Sequence, residues 1–261
     1  MSNSNPLKFI GIIPARYAST RFPGKPLARL GGKTVIERVY TRVASVLGSD
    51  SVAVATDDSR IADAVEAFGG TAVMTASSHR SGTDRCREAY VNLGSDADVV
   101  INIQGDEPFI APSQLRTVME AFTDPTVDIA SLARPFDPAR GYNALENPNT
   151  PKVVMDTRMN AMYFSRSVIP YVRGAERQNW PDRTQYFTHI GLYAYRAEVL
   201  AAITRLPQSP AELAESLEQL RWLQAGYKIR MGLSEEPTIG IDTPADLEAA
   251  AAYLKEHDHK A

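Results

Sequence analysis

Phe9-Ile10-Gly11-Ile12-Ile13 is an unbroken apolar run, and Pro14-Ala15-Arg16-Tyr17-Ala18-Ser19-Thr20-Arg21-Phe22-Pro23-Gly24-Lys25-Pro26-Leu27 follows it directly. A strand with one wet face alternates apolar and polar residues. A run without alternation suits a strand covered on both faces, as in a parallel sheet packed between helices. The loop behind it gathers Arg16, Arg21 and Lys25, the hydroxyls of Ser19 and Thr20, and Gly24. A bound triphosphate calls for this mixture: cations to offset its charge, hydroxyl donors, and backbone N–H groups at close approach. A solvated basic turn has the same composition, so the loop alone leaves both readings open. Its prolines restrict the unbound chain and so reduce the entropy lost on binding.

The same rhythm continues outward. Thr34 to Leu47 reads as a helix, with Thr34 and Glu37 as a capping box and Val35, Val39, Val43 and Val46 on one face. Strands are expected at 51–55, 72–74, 99–103 and 129–133, separated by helices at about 59–68, 83–93 and 112–122. The stretch 135–151 is rich in Pro, Asn and Asp and reads as an irregular connection. A hairpin of 153–155 with 161–164 follows, then a polar, aromatic loop over 171–186. A strand at 189–195, one helix over 210–225, a strand at 228–233 and a helix opened by Thr243-Pro244-Ala245-Asp246 complete the chain. The expected fold class is α/β: one Rossmann-like domain over residues 1–261, with a mostly parallel sheet and helices on both faces. Residues 135–187 would form a smaller inserted lobe. Ligands of such sheets lie outside the carboxyl ends of the strands, which selects Pro14 onward, Thr56-Asp57-Asp58 and Gln104-Gly105-Asp106-Glu107.

Composition narrows the chemistry. Of 261 residues, 44% are apolar, enough for a core without disulfides or structural metal. A net charge of -3 argues against nucleic acid or a membrane as main partner, so phosphate would have to be met by a local cluster of cations. Cys86 is the only cysteine, which excludes an internal disulfide and fits a reducing compartment; beside Arg85 on a helix it reads as packing. No signal-like segment opens Met1-Ser2-Asn3-Ser4-Asn5-Pro6, and no apolar run reaches the ~20 residues of a membrane span. A cytoplasmic enzyme is expected.

Two familiar phosphate motifs are missing. Gly32-Lys33-Thr34 ends like a Walker sequence, but Leu27 stands where its first glycine belongs, and no Gly-x-Gly-x-x-Gly occurs. Instead, Pro14-Ala15-Arg16-x-x-Ser19-x-Arg21-x-Pro23-Gly24-Lys25-Pro26-Leu27 resembles the signature loop of the cytidylyltransferases that activate acidic sugars. His79-x-Ser81-Gly82-Thr83-Asp84-Arg85, Asn102-Ile103-Gln104-Gly105-Asp106-Glu107-Pro108, Tyr163-Phe164-Ser165-Arg166, His189-Ile190-Gly191-x-Tyr193, Leu217-Glu218-Gln219-Leu220-Arg221 and Ile241-Asp242-Thr243-Pro244-x-Asp246-Leu247 recur in that order. Together they are similar to the branch of that family acting on 3-deoxy-D-manno-octulosonate (Kdo).

The resemblance implies transfer of a cytidylyl group from CTP to Kdo, an acidic 2-keto sugar, with release of pyrophosphate, for lipopolysaccharide assembly. It implies Arg16, Lys25 and Asp106 as catalytic residues, and Ala15, Arg16, Thr20, Lys25, Ser81, Gly82, Arg85 and Gln104 around the nucleotide. Arg21, Gln104, Arg166, His189, Tyr193, Glu218 and Gln219 would meet the sugar, and Asp106 and Asp242 would hold Mg2+. It also implies a homodimer through the 135–187 lobe, whose aromatics Tyr163, Phe164, Trp180, Tyr186 and Phe187 are expected at the surface. Simpler roles stand beside these: Asp106 as a turn former, Asp242 as a helix-end partner, Ser81 and Thr83 as caps, Arg85 as an exposed first-turn residue, His189 as a satisfied core histidine. A synthetase for sialic acid, another sugar nucleotidyltransferase, or a nucleotide-sensing module would share part of the pattern. Pyrophosphate release with a given sugar separates them.

Overall fold

The computed structural model describes residues 6–18 and 21–257. Strand β1 (Phe9–Ala15) outruns the apolar stretch because Pro14 and Ala15 stay in register with Ala55 and Thr56 of a neighbour. A short ladder of β2 (Arg29–Leu30) with β3 (Lys33–Thr34) leads into α1 (Val35–Leu47). Thr34 Oγ1 accepts the Glu37 N–H at 3.2 Å, and Val35, Val39 and Val43 are buried with Ile36 and Tyr40. Next come β4 (Val52–Thr56), α2 (Ser59–Ala67), β5 (Ala72–Met74), α3 (Gly82–Asn92), β6 (Val99–Asn102) and α4 (Pro112–Glu120). Every position of β4 and β6 is buried, as unalternating runs require.

These strands pair in parallel in the order β6-β1-β4-β5. The chain steps from β1 through β4 to β5, then returns past β1 to β6. Right-handed crossovers therefore put α1 and α2 on one face of the sheet and α3 on the other. That reversal makes the β1/β6 junction a topological switch point, where a crevice opens at the carboxyl ends of the strands. The α/β class and the mainly parallel sheet are as expected.

These elements belong to the first of two compact units, Met1–Leu115 with Pro237–Ala261; within α4 the chain enters the second, Arg116–Glu236. The second holds β7 (Ile129–Pro135), α5 (Gly141–Leu145), β8 (Lys152–Met155), β9 (Ala161–Ser165), β10 (Phe187–Arg196), α6 (Ala197–Ile203), α7 (Pro210–Glu215), α8 (Gln219–Gln224) and β11 (Ile229–Leu233). β7 lies between a parallel β11 and an antiparallel β10, and the expected hairpin forms, with Val153 opposite Phe164. Residues 135–187 lie wholly inside this unit.

Three expectations need correction here. Of the aromatics read as surface, Phe164, Trp180 and Tyr186 are buried; the latter two pack with Phe136, Tyr142 and Leu145. A ring with a polar tip can be buried when the tip is bonded: Trp180 Nε1 donates to Ala175 O at 3.0 Å and Tyr186 Oη to Pro170 O at 2.9 Å. The helix read over 210–225 is two, α7 and α8, broken at Ser216, whose φ of 51° is left-handed. Finally, the stretch 135–151, expected to be irregular, contains the short helix α5, and α6 follows β10; neither begins with a side-chain cap.

The chain then re-enters the first unit with α9 (Pro244–His257). Thr243 Oγ1 accepts the Asp246 N–H while Asp246 accepts the Thr243 N–H at 2.8 Å, the reciprocal cap that sequence suggested. Ala250 and Leu254 of α9 bury against Leu30, Val35, Phe109 and Ile241. Among the described residues no helix is long and apolar enough to cross a membrane.

Candidate active site

The loop after β1 is a built structure. Gly24 has φ 71°, a left-handed backbone that disfavours any side chain, and its N–H closes onto Tyr17 O at 2.9 Å. Gly24 also lets the loop pass against the Tyr17 ring, since a Cβ there would lie 3.1 Å from it. Arg60 covers Tyr17 at 3.4 Å from the ring centroid, itself held by Asp58 through bonds of 2.9 and 2.6 Å. Lys25 opens a single 3-10 turn, Lys25–Leu27. Ser19 and Thr20 lie outside the described residues, so the assignment of Thr20 to the nucleotide is not placed. Ala15 ends β1 and is buried.

Lys25 reaches across the crevice. Its Nζ lies 2.7 Å from Asp106 Oδ2 and 3.1 Å from Asp242 Oδ1, with Arg21 3.2 Å from the other oxygen of Asp242. The carboxylates come from distant loops that meet through the backbone: Ile241 N–H donates to Asp106 O at 2.9 Å. Gly105 brings the Asp106 loop tight against β1; a Cβ there would sit 2.8 Å from Pro14 O. Behind Asp106, Glu107 has its pKa pushed up to about 7, by burial first and then by the Asp106 charge. In the sequence Glu107 stands in the 102–108 motif with no role attached to it.

Two partly exposed carboxylates that grip one ammonium also suit a divalent cation. Their donors are all hard oxygen, as magnesium prefers. Among the described residues no group of three or more His, Cys, Asp or Glu forms a metal cage. An ion here would complete its shell with phosphate oxygens and water, the usual magnesium pattern at nucleotides. The residues present fit the group.

Ser81, rather than Thr83, caps α3: its Oγ accepts the Asp84 N–H at 3.1 Å, and Thr83 is buried. Gly82 lies against Pro14, where a Cβ would be 3.2 Å from the ring. Arg85 is not an exposed first-turn residue. It is fully buried, donating to Thr75 Oγ1 at 2.6 Å and pairing with Asp57 at 3.2 Å. Arg16 donates to the His79 carbonyl, and burial, then the Arg85 guanidinium, depress its pKa. Two cations held near each other in this way favour an incoming anion. His79 in turn pairs with Glu88, which accepts the Ala76 N–H at 3.1 Å and so pins the 76–81 loop. Sequence gives Asp57, His79 and Glu88 no role; Asp57 stands at a strand end and His79 in a quoted motif, while nothing in the sequence marks Glu88, which lies inside α3. Gln104 is half-buried beside Gly105. Cys86 is buried against β1, a packing residue.

The remaining candidates lie in the second unit. β10 bulges between Ile190 and Tyr193, so two extra residues intervene and side-chain parity is kept. His189 and Tyr193 thus stay ring to ring at 5.3 Å, with His189 Nε2 3.0 Å from Ser131 Oγ. Burial holds the His189 pKa down to about 3, so the ring is neutral at physiological pH. Burial and then the Glu218 carboxylate raise the pKa of the Tyr193 hydroxyl. Gln219 is 5% exposed, and its amide nitrogen has no hydrogen-bond partner among the described residues. A buried donor left open in this way signals a ligand or water. Arg166 donates to three carbonyls: Glu215 at 2.6 Å, Pro148 at 2.8 Å and Ser216 at 3.2 Å.

Known proteins resemble this chain in sequence and fold. A family model described as cytidylyltransferase matches residues 10–229. A relative from Bacteroides thetaiotaomicron described as 3-deoxy-manno-octulosonate cytidylyltransferase is 62% identical over 249 residues, covering 95% of this chain and 99% of that protein. One of the same description from Escherichia coli is 46% identical over 248 residues, covering 95% and 96%. A solved CMP:2-keto-3-deoxy-manno-octonic acid synthetase complexed with CTP is similar at TM-score 0.87 and 44% identity, over 96% of this chain and 99% of that one. A 4-diphosphocytidyl-2C-methyl-D-erythritol synthase from Anaerococcus prevotii, 18% identical over 95% and 99% of the two chains, shares the fold at TM-score 0.60. The chain belongs to the cytidylyltransferase family.

Proposed function

We propose that the chain transfers the cytidylyl group of CTP to the anomeric hydroxyl of 3-deoxy-D-manno-octulosonate, giving CMP-Kdo and pyrophosphate. The observation that carries this reading is the meeting of Lys25 with Asp106 and Asp242 at the β1/β6 switch point. The chemical identity of the pair rests on relatives as close as 62% identity.

The sugar oxygen attacks the α-phosphorus in line as pyrophosphate departs, so the protein's work is positioning and charge. Lys25 and Arg16 offset the triphosphate, and Arg21 stands at the same mouth. Ser81, Gly82, Arg85 and Gln104 shape the nucleotide pocket; Arg85 acts from beneath, because its guanidinium is buried against Asp57 and Thr75. His189, kept neutral, serves as a hydrogen-bonding group to the sugar with Tyr193, Glu218 and Gln219. Asp106 and Asp242 are the residues that would hold magnesium, which when bound supplies positive charge at the triphosphate.

A homodimer is part of the proposal. Met162, Tyr163 and Tyr171 are large exposed apolar side chains of the second unit, and light scattering after size exclusion tests it. A cytosolic location follows from the use of CTP. The deciding assay is pyrophosphate release over a matrix of nucleotides and acidic sugars, with and without magnesium. Turnover only with CTP, Kdo and magnesium is expected; equal turnover with a sialic acid would overturn the sugar assignment.

A further inference from the structure

The joint between α7 and α8 breaks a helix where no glycine or proline asks for it. Ser216 adopts φ 51° and ψ 48°, a left-handed conformation disfavoured for any residue with a Cβ. Two clamps hold it. The Glu215 carboxylate accepts Ser165 Oγ at 2.6 Å and the Arg166 N–H at 2.8 Å, at the end of β9. Arg166 returns its Nε to the Glu215 carbonyl at 2.6 Å and its Nη2 to that of Ser216 at 3.2 Å. On the other side of the joint, Arg221 Nε donates to Glu212 at 2.8 Å.

Glu218 and Gln219 emerge directly from this joint, the first with its carboxylate 3.9 Å from Arg221 and the second keeping a buried amide donor open. A continuous helix would turn both side chains in other directions, because each residue of a helix advances the face by a fixed angle. The contacts of Glu215 and Arg166 at the break therefore bear on where they point. Charge-assisted hydrogen bonds such as these are short and strong, which suits a fixed support better than a mobile contact.

We propose that Glu215 is a positioning residue for the sugar, fixing through Ser165 and Arg166 the direction in which Glu218 and Gln219 leave the α7–α8 joint. It acts through those residues and does not touch the substrate. The inference rests on the acidic-sugar reading above.

The test is a comparison of Glu215→Ala, Glu215→Gln and Ser165→Ala with the wild type, reading KM for Kdo, Kd for CTP by calorimetry, and Tm. Glu215→Ala is expected to raise the Kdo KM at least about tenfold, the scale of one lost charge-assisted hydrogen bond. The CTP Kd should stay within about twofold. Glu215→Gln should recover part of the loss, since its amide oxygen still accepts one donor. Ser165→Ala should shift the Kdo KM the same way, and it keeps the question open to measurement if Glu215→Ala does not fold. An unchanged Kdo KM in a folded variant, or equal loss toward both substrates, would overturn the inference. Wild-type protein that turns over no Kdo would instead overturn the functional reading.

Discussion

The backbone N–H of Ile241 donates to the carbonyl of Asp106 at 2.9 Å, so the loops carrying the two aspartates are tied together independently of their side chains. Neutralising one carboxylate should therefore change charge and leave the frame. Asp106→Asn is expected to lower kcat on the order of 10²–10³-fold, the scale seen when one preorganised electrostatic contact is removed. Pyrophosphate release at saturating magnesium measures it, with Tm as the control. Near-normal turnover would refute the carboxylate's role.

Gly105 offers a steric test of the same crevice. An alanine there would place its Cβ 2.8 Å from Pro14 O, a backbone atom that cannot rotate away. Gly105→Ala is expected to cost about 1–3 kcal/mol of stability, as overpacking does. It should also raise the CTP KM more than the Kdo KM. Urea titration and steady-state kinetics report the two effects, and a fully neutral alanine would mean the strands can part at no cost.

Arg85 and Asp57 invite a double-mutant cycle. Arg85 has no exposed surface, so its removal strands Asp57 beside a cavity. Arg85→Met should destabilise by about 3 kcal/mol, near the lower end for a broken buried pair because Asp57 is partly exposed. Adding Asp57→Ala should return part of that loss, giving a coupling energy well above zero. Strict additivity of the two changes would mean that the pair does not interact.

His189 gives a pH prediction with a definite sign. Its folded pKa of about 3 lies below the ordinary 6.5, so below pH 6.5 the unfolded chain binds the extra proton. Stability should be unaffected by this group above pH 6.5 and fall as pH drops from there toward 3. His189→Gln should flatten that acid limb in urea titrations. Nor should His189 contribute an ionisation to the Kdo KM between pH 6 and 9. A His189-dependent step in that window would show that the ring is charged after all.

Much of this is legible in the sequence. Phe9 to Ile13 announced a strand buried on both sides because burial leaves a local trace in hydrophobicity. Thr34 and Asp246 announced their helices because caps are made by near neighbours. What stayed hidden was decided at a distance. The chain breaks helix at Ser216, where Arg166 from some fifty positions upstream donates to the Glu215 and Ser216 carbonyls. Trp180 and Tyr186 looked like surface aromatics, yet carbonyls at Ala175 and Pro170 accept their polar tips. Arg85 lies in an α3 whose cap sequence was legible, but only folding sets Asp57 and Thr75 against it. The loop after β1 reads as a cluster of charge; that its lysine lies between two carboxylates depends on β6 and on the chain's return after residue 237.

That return sets an order in time. The first unit is made of two stretches of chain with all of Arg116–Glu236 between them. At a synthesis rate of about 5–20 residues per second, Asp106 exists for on the order of ten seconds before Asp242 has been joined to the growing chain. During that interval Lys25 has one carboxylate to meet and α9 is missing from the apolar cluster around Leu30 and Val35. A nascent chain on the ribosome thus carries the signature loop well before it can assemble the pair of aspartates, and the last part of the candidate site to be made is the one that closes it.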